Sequence, residues 1–402
     1  MWLALRTGSW LTRERLRGYA ILLILSYVIG VIGWFVALHG LLDWTNRPFG
    51  SDFAAFYAAG AMVADGTPAA AYDLDAFIAR QQALYGPQTA IWAWHHTPYA
   101  LAICLAMASL PYLPSFFVWQ GVTLALYLVM LRGWAKPSLA LLGGAAFPAV
   151  MVNLGHGQTG FLIAALFGAA LLALERRPLL AGALFGLIAV KPHFGLLIPF
   201  ALMASGRWRA FAAAGVTVAA MTGASLAAFG QDTFSAFVDS LVFSQVQATE
   251  YSHTGFYKLQ SAFTAVRLLD GSIGLAYALH GLLLAGLLAA TLWIWRSPAD
   301  RRLKAASLMT GSFLAPSYIL DYDMVLLAPA MAALVSYDLE RGFRPFEKSF
   351  LALAFAMPIL ARLIAMTLFI PAGFLTTLIL FALIVAKARD SARAAAAAFV
   401  EE

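Results

Sequence analysis

The first residue that could do chemistry is Asp52, which stands directly after the first long apolar run. Aromatic and small residues follow it at helical spacing, namely Phe53, Phe56, Tyr57 and Gly60. Asp is a common helix N-cap, because its carboxylate accepts a hydrogen bond from the first turn. At a membrane surface the same carboxylate can act as a general base. This stretch alone favours the cap, and the rest of the chain bears on the choice.

A lone lysine in a long apolar region is the second candidate. Lys191 has about a dozen apolar residues on either side, and Pro192 interrupts the helix next to it. Both flanks end in basic residues, so both are expected in the cytoplasm, with Lys191 and His193 at the tip of a short hairpin. A single tilted span is the competing arrangement. A lysine at membrane depth needs an anionic partner, which favours a functional role over snorkelling.

Two polar interruptions lie between other apolar runs. The first, Asn153–Gly160, contains His156 and Gln158 among three glycines. A ligand site and a plain connecting loop explain it equally well. The second is Asp321-Tyr322-Asp323. Residues two apart point about 200° apart on a helix, so only one of these aspartates is expected to face the cavity. There it would bind hydroxyl groups of the sugar or acceptor rather than a metal.

Neighbouring histidines occur at one further place. His95 and His96 lie in an aromatic belt with Trp92, Trp94 and Tyr99, of the kind found at membrane–water interfaces. Adjacent histidines on a helix point in different directions, and no further ligands are near in the sequence. Hydrogen bonding at the interface is therefore favoured over a metal site. Neither a metal nor another cofactor is expected in this chain.

The composition places these residues in a membrane protein. Of 402 residues, 62% are hydrophobic and 11% are charged, whereas soluble domains carry about 25% charged residues. The net charge of +6 comes with arginines scattered between apolar runs, which fits basic cytoplasmic loops better than a nucleic-acid surface. The single cysteine, Cys104, excludes a disulfide within the chain.

The apolar runs predict an all-α polytopic protein of about 11–13 membrane segments in one domain, residues 1–402. Four arginines before the run Tyr19–Leu42 predict a cytoplasmic N-terminus and an uncleaved first span. Residues 43–94 then form an outer interfacial loop with two amphipathic helices, the second over about Asp73–Tyr85. Residues 230–260 form a second outer loop with another amphipathic helix.

Two further expectations concern a short span and the polar part of the second outer loop. A span is expected over about Thr97–Leu110, and this count places Arg132 and Lys136 outside, against the positive-inside rule. In the second outer loop, a polar stretch either contacts a ligand or caps the fold from outside. Its residues are Glu250, Tyr251, His253, Tyr257 and Lys258.

On this topology, the polar residues that are hardest to explain as structure converge on the outer half of the membrane. They are Asp52, His95, His96, His156, Gln158, Lys191, Asp321 and Asp323. Each one alone is weak evidence for a site. Their convergence on one side of the membrane predicts that they form one site.

The order of several short motifs resembles glycosyltransferase family 87, which comprises polyprenyl-phosphate-mannose-dependent mannosyltransferases of the membrane-embedded GT-C superfamily and bacterial relatives. The motifs are Asp52-Phe53 with Tyr57, Ala59-Gly60, Tyr72-Asp73, Thr97-Pro98-Tyr99, Leu110-Pro111-Tyr112-Leu113-Pro114 with Trp119, Gly157-Gln158, the Ala181-Gly182 to Gly186 helix with Lys191-Pro192, and Ser317-Tyr318 with Asp321-Tyr322-Asp323. The resemblance covers about Asp52 to Pro329 and rests on the ordered set rather than on any single motif.

The resemblance implies a GT-C-type enzyme of the bacterial inner membrane with its active site on the outer side. It would move a hexose, which the resemblance indicates is mannose, from a polyprenyl-phosphate donor to a lipid or glycan acceptor, with inversion at the anomeric carbon. Asp52 matches the expected catalytic base, and Lys191, with His193 beside it, matches a lysine suited to the lipid phosphate. The expected substrate-binding residues are Tyr57, His95, His96, His156, Gln158, Asp321, Tyr322 and Asp323. The mannosyltransferases carry histidines at Asp321–Asp323, a difference that concerns the sugar more than the reaction.

The residues themselves fit this chemistry. Transfer from a lipid phosphate needs a base for the acceptor hydroxyl and cations for the departing phosphate. The sequence has no soluble nucleotide-binding domain and no glycine-rich phosphate loop, which favours a lipid-linked donor. A transporter or flippase of a lipid-linked sugar is the main alternative, although no internal repeat is evident. An assembly subunit without chemistry, in which the aspartates are only caps, is the third.

Overall fold

The computed structural model of the protein describes residues 1–252 and 255–401. These residues are predominantly helical, with only isolated β-bridges and no named strand among them. In the same part of the chain, seven helices are long and apolar enough to cross a membrane, and a bent pair makes up to eight. The prediction of an all-α polytopic membrane protein is confirmed.

The helices follow one another along the described chain with few long connections. They are α1 (Trp2–Thr7), α2 (Arg13–Val36), α3 (Phe53–Ala64), α4 (Leu74–Tyr85), α5 (Tyr99–Ala108), α6 (Tyr112–Leu131), α7 (Pro137–Ala146), α8 (Pro148–His156), α9 (Gly160–Ala173), α10 (Pro178–Leu187), α11 (Ile198–Ala204), α12 (Trp208–Ser244), α13 (Ala262–Leu268), α14 (Ile273–Arg296), α15 (Arg301–Leu314), α16 (Leu327–Arg341), α17 (Glu347–Leu368) and α18 (Ala372–Glu401). Short helical turns stand at Pro68–Tyr72, Ile188–Val190, Pro192–Gly195, Gln245–Glu250, Phe256–Lys258 and Asp321–Leu326.

Charge distinguishes the two ends of the helix bundle. One end, called the site end, carries Asp52 and His156, whose backbones are hydrogen-bonded to each other at 3.0 Å. The other end, called the basic end, holds ion pairs between the termini of neighbouring helices. These pairs are Arg207–Glu175, Arg302–Glu340 and Arg344–Asp390.

Two helical hairpins open toward the basic end and close at the site end. In the first, Arg207 after α11 pairs with Glu175 before α10. In the second, Arg302 near the start of α15 pairs with Glu340 near the end of α16, with 2.8 Å between Nη2 and Oε2. Lys191 lies at the tip of the first hairpin. The hairpin predicted around Lys191 is therefore confirmed, and the single tilted span is wrong.

The apolar core lies around α9, α15 and α16. Phe161 and Phe167 of α9 and Phe313 of α15 are among the largest side chains that are fully buried. α15 is buried from Ala305 to Leu314. Because both hairpins pack on this core along their length, their tips are held in place relative to each other.

Helix α5 corrects the predicted topology. The span expected over Thr97–Leu110 is a helix of 10 residues, about 15 Å long, and it packs along α3. Counting it as a crossing placed Arg132 and Lys136 at the wrong end. A Cβ on Gly133 would lie 2.4 Å from Leu172 of α9, so this basic turn belongs to the basic end. The conflict with the positive-inside rule disappears.

The helix after Asp52 is buried rather than amphipathic. In α3, every residue from Phe53 to Met62 except Tyr57 is buried. Small residues allow α5 to approach closely, since a Cβ on Gly60 would lie 1.9 Å from the carbonyl oxygen of Cys104. The prediction of an amphipathic surface helix is therefore wrong for α3, because α5 covers its alanine and glycine face.

Helix α4 forms with the predicted bounds. Asp73 is its N-cap, and Oδ1 accepts a hydrogen bond from the Ala76 N–H at 2.8 Å. Phe77 and Tyr85 are buried. The Tyr85 hydroxyl donates to the Ala54 carbonyl of α3 at 2.9 Å. α4 therefore helps to fix the helix that carries Asp52.

The second outer loop begins at a break in α12. Gly230 has φ 77° and ψ 165°, which residues with a Cβ rarely adopt. Beyond the break, the Phe237 ring packs on Tyr72 with 5.7 Å between ring centroids. The predicted helix is present and packs on residues 43–94 through Phe237, but Val238 and Val242 of its predicted apolar face are exposed rather than packed on the protein.

Cysteine labelling tests the assignment of the two ends. In a background without Cys104, cysteines at Gln88 and Lys136 are expected to react with a membrane-impermeant thiol reagent from opposite sides of the membrane. Cysteines at Lys136 and Arg176 are expected to react from the same side, because both positions are exposed turns at the basic end. Reaction of positions 88 and 136 from one side would contradict the arrangement.

Candidate functional site

Asp52 stands at the start of α3 without capping it. Its backbone angles are helical, φ −77° and ψ −25°, and its carboxylate accepts no hydrogen bond from the first turn. Oδ2 instead accepts from Gln158 Nε2 at 3.2 Å, and Oδ1 accepts from Ser51 Oγ at 3.2 Å. Among the ion pairs of the described residues, none includes Asp52.

Asp73 provides a comparison within the same chain. Its backbone is extended, φ −85° and ψ 120°, and its side chain caps α4. Asp52 lacks both features, so the cap hypothesis that the local sequence favoured is wrong. The Asp52 carboxylate is half-buried and oriented by a residue distant in sequence, and it keeps lone pairs with which to accept a proton.

The loop after α8 brings Gln158 to Asp52. Gly157 ends α8 with φ 65°, and a Cβ there would lie 2.5 Å from the Cβ of Phe53. Only glycine combines this left-handed conformation with such a close approach. The Asp52 N–H donates to the His156 carbonyl at 3.0 Å. The polar interruption therefore lies against Asp52, and its contact with a ligand stays a prediction.

Buried amides hold this loop in shape. Asn153 Nδ2 donates to the Gln158 carbonyl at 3.2 Å, and its Oδ1 accepts from the Gly160 N–H at 3.0 Å. Gln120 Nε2 donates to the same Gln158 carbonyl at 3.2 Å. Because these groups are buried and mutually satisfied, they fix the direction of the Gln158 side chain.

His156 connects the Asp52 segment with the second hairpin. Its Nδ1 lies 2.8 Å from the Val152 carbonyl oxygen. A proton on Nδ1 would leave Nε2 as an acceptor. Nε2 lies 3.5 Å from Nη2 of Arg362, and the ring packs on Tyr322 with 5.2 Å between centroids.

Asp321 is paired with an arginine that the sequence analysis missed. Arg362 donates from Nε to Oδ2 at 2.8 Å and from Nη2 to Oδ1 at 3.0 Å. The Asp321 side chain is 1% exposed, whereas that of Arg362 is 32% exposed. The sequence did contain a signal for Arg362. It is a single charge inside the apolar run Phe350–Phe369, which is the pattern that singled out Lys191.

Lys191 finds its anionic partner at the tip of the second hairpin. Nζ donates to Oδ1 of Asp323 at 2.9 Å, and the side chains are 5% and 2% exposed. Nζ also lies 5.0 Å from the centroid of the Tyr322 ring. Asp321 and Asp323 are both buried, each against a cation from a different segment. That one of them faces the cavity and binds hydroxyl groups stays a prediction.

His96 and His193 both stand near Lys191. The ring of His96 packs on Trp94 with 4.8 Å between centroids. Burial lowers the pKa of His96 well below its ordinary value, and the nearby Lys191 ammonium lowers it further. His96 is therefore neutral at pH 7 and offers hydrogen bonds rather than charge.

Two other predicted residues are engaged elsewhere. The Tyr57 hydroxyl donates to the Leu110 carbonyl at 3.0 Å, and its ring packs on Tyr112 with 5.1 Å between centroids. His95 lines a separate cavity of about 370 Å³ between α4 and the second half of α12. Their substrate-binding roles stay predictions.

Lys258 adds a cation at the edge of this cluster. It ends the turn before Leu259, which forms a β-bridge with Leu320. Burial lowers the pKa of Lys258 below its ordinary value, Arg362 lowers it further, and nearby carboxylates partly oppose this. In the polar stretch to which Lys258 belongs, His253 lies outside the described residues.

The cluster combines one unpaired carboxylate with two paired ones. Asp52 can accept a proton, while Arg362 and Lys258 can hold an anion or hydroxyl groups. In residues 1–252 and 255–401, no three His, Cys, Asp or Glu side chains are grouped like metal ligands. The arrangement suits proton transfer next to a bound anion.

The chain was compared with known families and proteins. The family model described as glycosyltransferase family 87 matches residues 94–320, more than half of the 402 residues. The match contains His156, Gln158 and Lys191, whereas Asp52 and Arg362 lie outside it. No curated protein and no solved structure matches the chain.

Measurements of thermal stability test whether the Lys191–Asp323 pair between the two hairpin tips stabilises the fold. Lys191→Met should cost about 3–5 kcal/mol of unfolding free energy, because it leaves Asp323 buried without a cation. Adding Asp323→Asn should recover most of that loss. The measurement is thermal unfolding of the purified protein in detergent, and the exposed Lys136→Met is the matched control. A double variant as unstable as Lys191→Met would contradict a structural pair.

Proposed function

Because the chain belongs to glycosyltransferase family 87, and is thus a membrane glycosyltransferase, we propose that it transfers a hexose from a polyprenyl-phosphate donor to a lipid or glycan acceptor, with inversion. One observation carries the proposal. The Asp52 carboxylate neither caps its helix nor forms an ion pair in the described residues. Its backbone is hydrogen-bonded to His156, whose ring lies 3.5 Å from the Arg362 guanidinium that pairs with Asp321.

Asp52 is the general base in this proposal. The acceptor hydroxyl gives its proton to Asp52, and the acceptor oxygen bonds to the anomeric carbon. The bond from that carbon to the donor phosphate breaks, and its electron pair leaves on the phosphate. A general base must come within about 2.6–3.2 Å of the hydroxyl oxygen that it deprotonates. The hydrogen bond from Gln158 Nε2, 3.2 Å from Oδ2, holds the Asp52 carboxylate in one orientation for this contact.

The paired charges position the substrate without adding net charge. Asp321 and Asp323 keep lone pairs that can accept hydrogen bonds from sugar hydroxyls, while Arg362 and Lys191 hold them in place. Tyr322, His156 and the neutral His96 line the same region in this proposal and orient the sugar.

Lys191 and His193 stay proposed ligands of the donor phosphate. Asp323 neutralises the charge of Lys191 but takes one of its three N–H donors. The other donors can reach a phosphate when the donor fills the site. His193 stands beside this ammonium in the same turn and would donate through its ring.

A lipid-linked donor fits the position of the site. The cluster lies at one end of a bundle whose outer surface is apolar, so that a polyprenyl chain could stay in the bilayer while its phosphate enters the site. The sugar we favour is mannose, on the ground of family resemblance. The basic end should face the cytoplasm of a bacterial inner membrane by the positive-inside rule, which puts the site outside.

Asp52→Asn tests the base. Asn caps a helix about as well as Asp and keeps the size of the side chain, but it cannot take the proton. Transfer of labelled hexose from a short-chain polyprenyl-phosphate hexose should fall about 10²–10⁴-fold, while the melting temperature should stay close to that of the wild type.

Asp73→Asn is the matched control, since Asp73 is the aspartate that caps a helix. Its transfer rate should be unchanged. Wild-type transfer by Asp52→Asn would remove this residue from the mechanism. If the wild-type protein moved the lipid-linked sugar across the membrane without a change in its covalent bonds, the flippase alternative would replace the proposal.

A further inference from the structure

The outer surface of the site holds positive charge that the described protein leaves uncompensated. Within the described residues, the Lys258 ammonium has no hydrogen-bond or ion-pair partner, although the side chain is half-buried. Arg362 is bound to Asp321 through Nε and Nη2, which leaves Nη1 without a partner there. Both cations therefore have N–H donors to offer.

The backbone fixes Lys258 beside Arg362. Leu259 forms a β-bridge with Leu320, and the Gln260 N–H donates to the Ile319 carbonyl at 2.9 Å. The turn that ends at Lys258 also packs against α17, the helix that carries Arg362. Lys258 is thus held next to a second cation by contacts that do not involve its own charge.

The two charges repel each other in the free protein. Burial is the main cause that lowers the pKa of Lys258; the charge of Arg362 and, more weakly, that of the exposed Arg47 lower it further, while Asp52 and Asp321 raise it. Protein charges in partly buried positions are normally paired. A cation without an ion-pair partner, next to a guanidinium with a free Nη1 edge, is therefore expected where an anionic ligand binds.

The surroundings of Arg362 indicate what kind of anion this is. Ile359, Leu363 and Met366 lie on the same side of α17 as Arg362, at helical spacing, and are 50%, 59% and 53% exposed. A phosphate bound at Arg362 would therefore lie next to an apolar strip. This combination suits a phosphate attached to a hydrocarbon chain better than a free phosphate ion.

From these contacts we propose that Lys258 and the Nη1 edge of Arg362 bind the phosphate of the lipid-linked donor, with the lipid chain along Ile359, Leu363 and Met366. This assignment rests on the proposed function for the identity of the donor. It adds an uncompensated cation to the phosphate site, which the neutral Lys191–Asp323 pair does not supply. The departing phosphate gains one negative charge when the sugar leaves, so these cations also stabilise the transition state.

Lys258→Met is the decisive variant. The binding of a short-chain polyprenyl phosphate to the purified full-length protein should weaken about tenfold or more, and Lys258→Arg should bind nearly as the wild type does. Lys136→Met, at the basic end, is the matched control and should leave the affinity unchanged. The matching polyprenol and inorganic phosphate alone should each bind far more weakly, because each lacks half of the ligand.

Thermal unfolding distinguishes binding from a structural role. Without ligand, Lys258→Met should melt no lower than the wild type, because it removes an unpaired charge; with polyprenyl phosphate, the wild type should gain more thermal stability than the variant. Equal affinity of Lys258→Met and wild type would overturn the proposal, as would inorganic phosphate binding as tightly as the lipid phosphate. Lysine-dependent binding without any sugar transfer would support this phosphate site while rejecting the proposed transfer reaction.

Discussion

The pairing of buried charges is the constraint on which this structure depends. In the described part of the chain, the charged side chains that are buried are Lys191, Asp321, Asp323, Asp338, Glu347 and Lys387. Each forms an ion pair with a residue of another segment. Because an unpaired charge in an apolar bundle is costly, these pairs restrict how the helices can slide or rotate against one another. At the site end they join both hairpin tips to α17, and at the basic end they join α16, α17 and α18.

Against this paired background, the groups without partners are informative. Asp52 is a carboxylate that accepts hydrogen bonds from Gln158 and Ser51 but meets no cation. Lys258 is an ammonium that meets no anion among the described residues. The protein thus keeps one acceptor for a proton and one donor for an anion in the same region. A transfer reaction that moves a proton away from one substrate and leaves negative charge on the other needs both.

The site is assembled from segments that are far apart in the sequence. Asp52 precedes α3, Gln158 follows α8, Lys191 lies between the helices of the first hairpin, and Arg362 lies near the end of α17. The region that matches the family model supplies the middle of this set and not its two ends. Asp52 and Arg362 therefore come from outside the matched region and are brought to it by tertiary contacts.

Much of this could be predicted from the sequence, where a local pattern has one physical explanation. Long apolar runs determined an all-α membrane protein, because only helices satisfy backbone hydrogen bonds in lipid for such runs. Pro192 and the basic flanks predicted the hairpin around Lys191 but left a single tilted span open, and only the Arg207–Glu175 contact between its two ends decided between them. Tertiary structure alone decided which charges meet: whether Asp52 caps its helix depends on Gln158, 106 residues away, and whether Lys191 has a partner depends on Asp323, 132 residues away. Local pattern determines the helix, whereas the state of a side chain at its end depends on neighbours that only packing brings into contact.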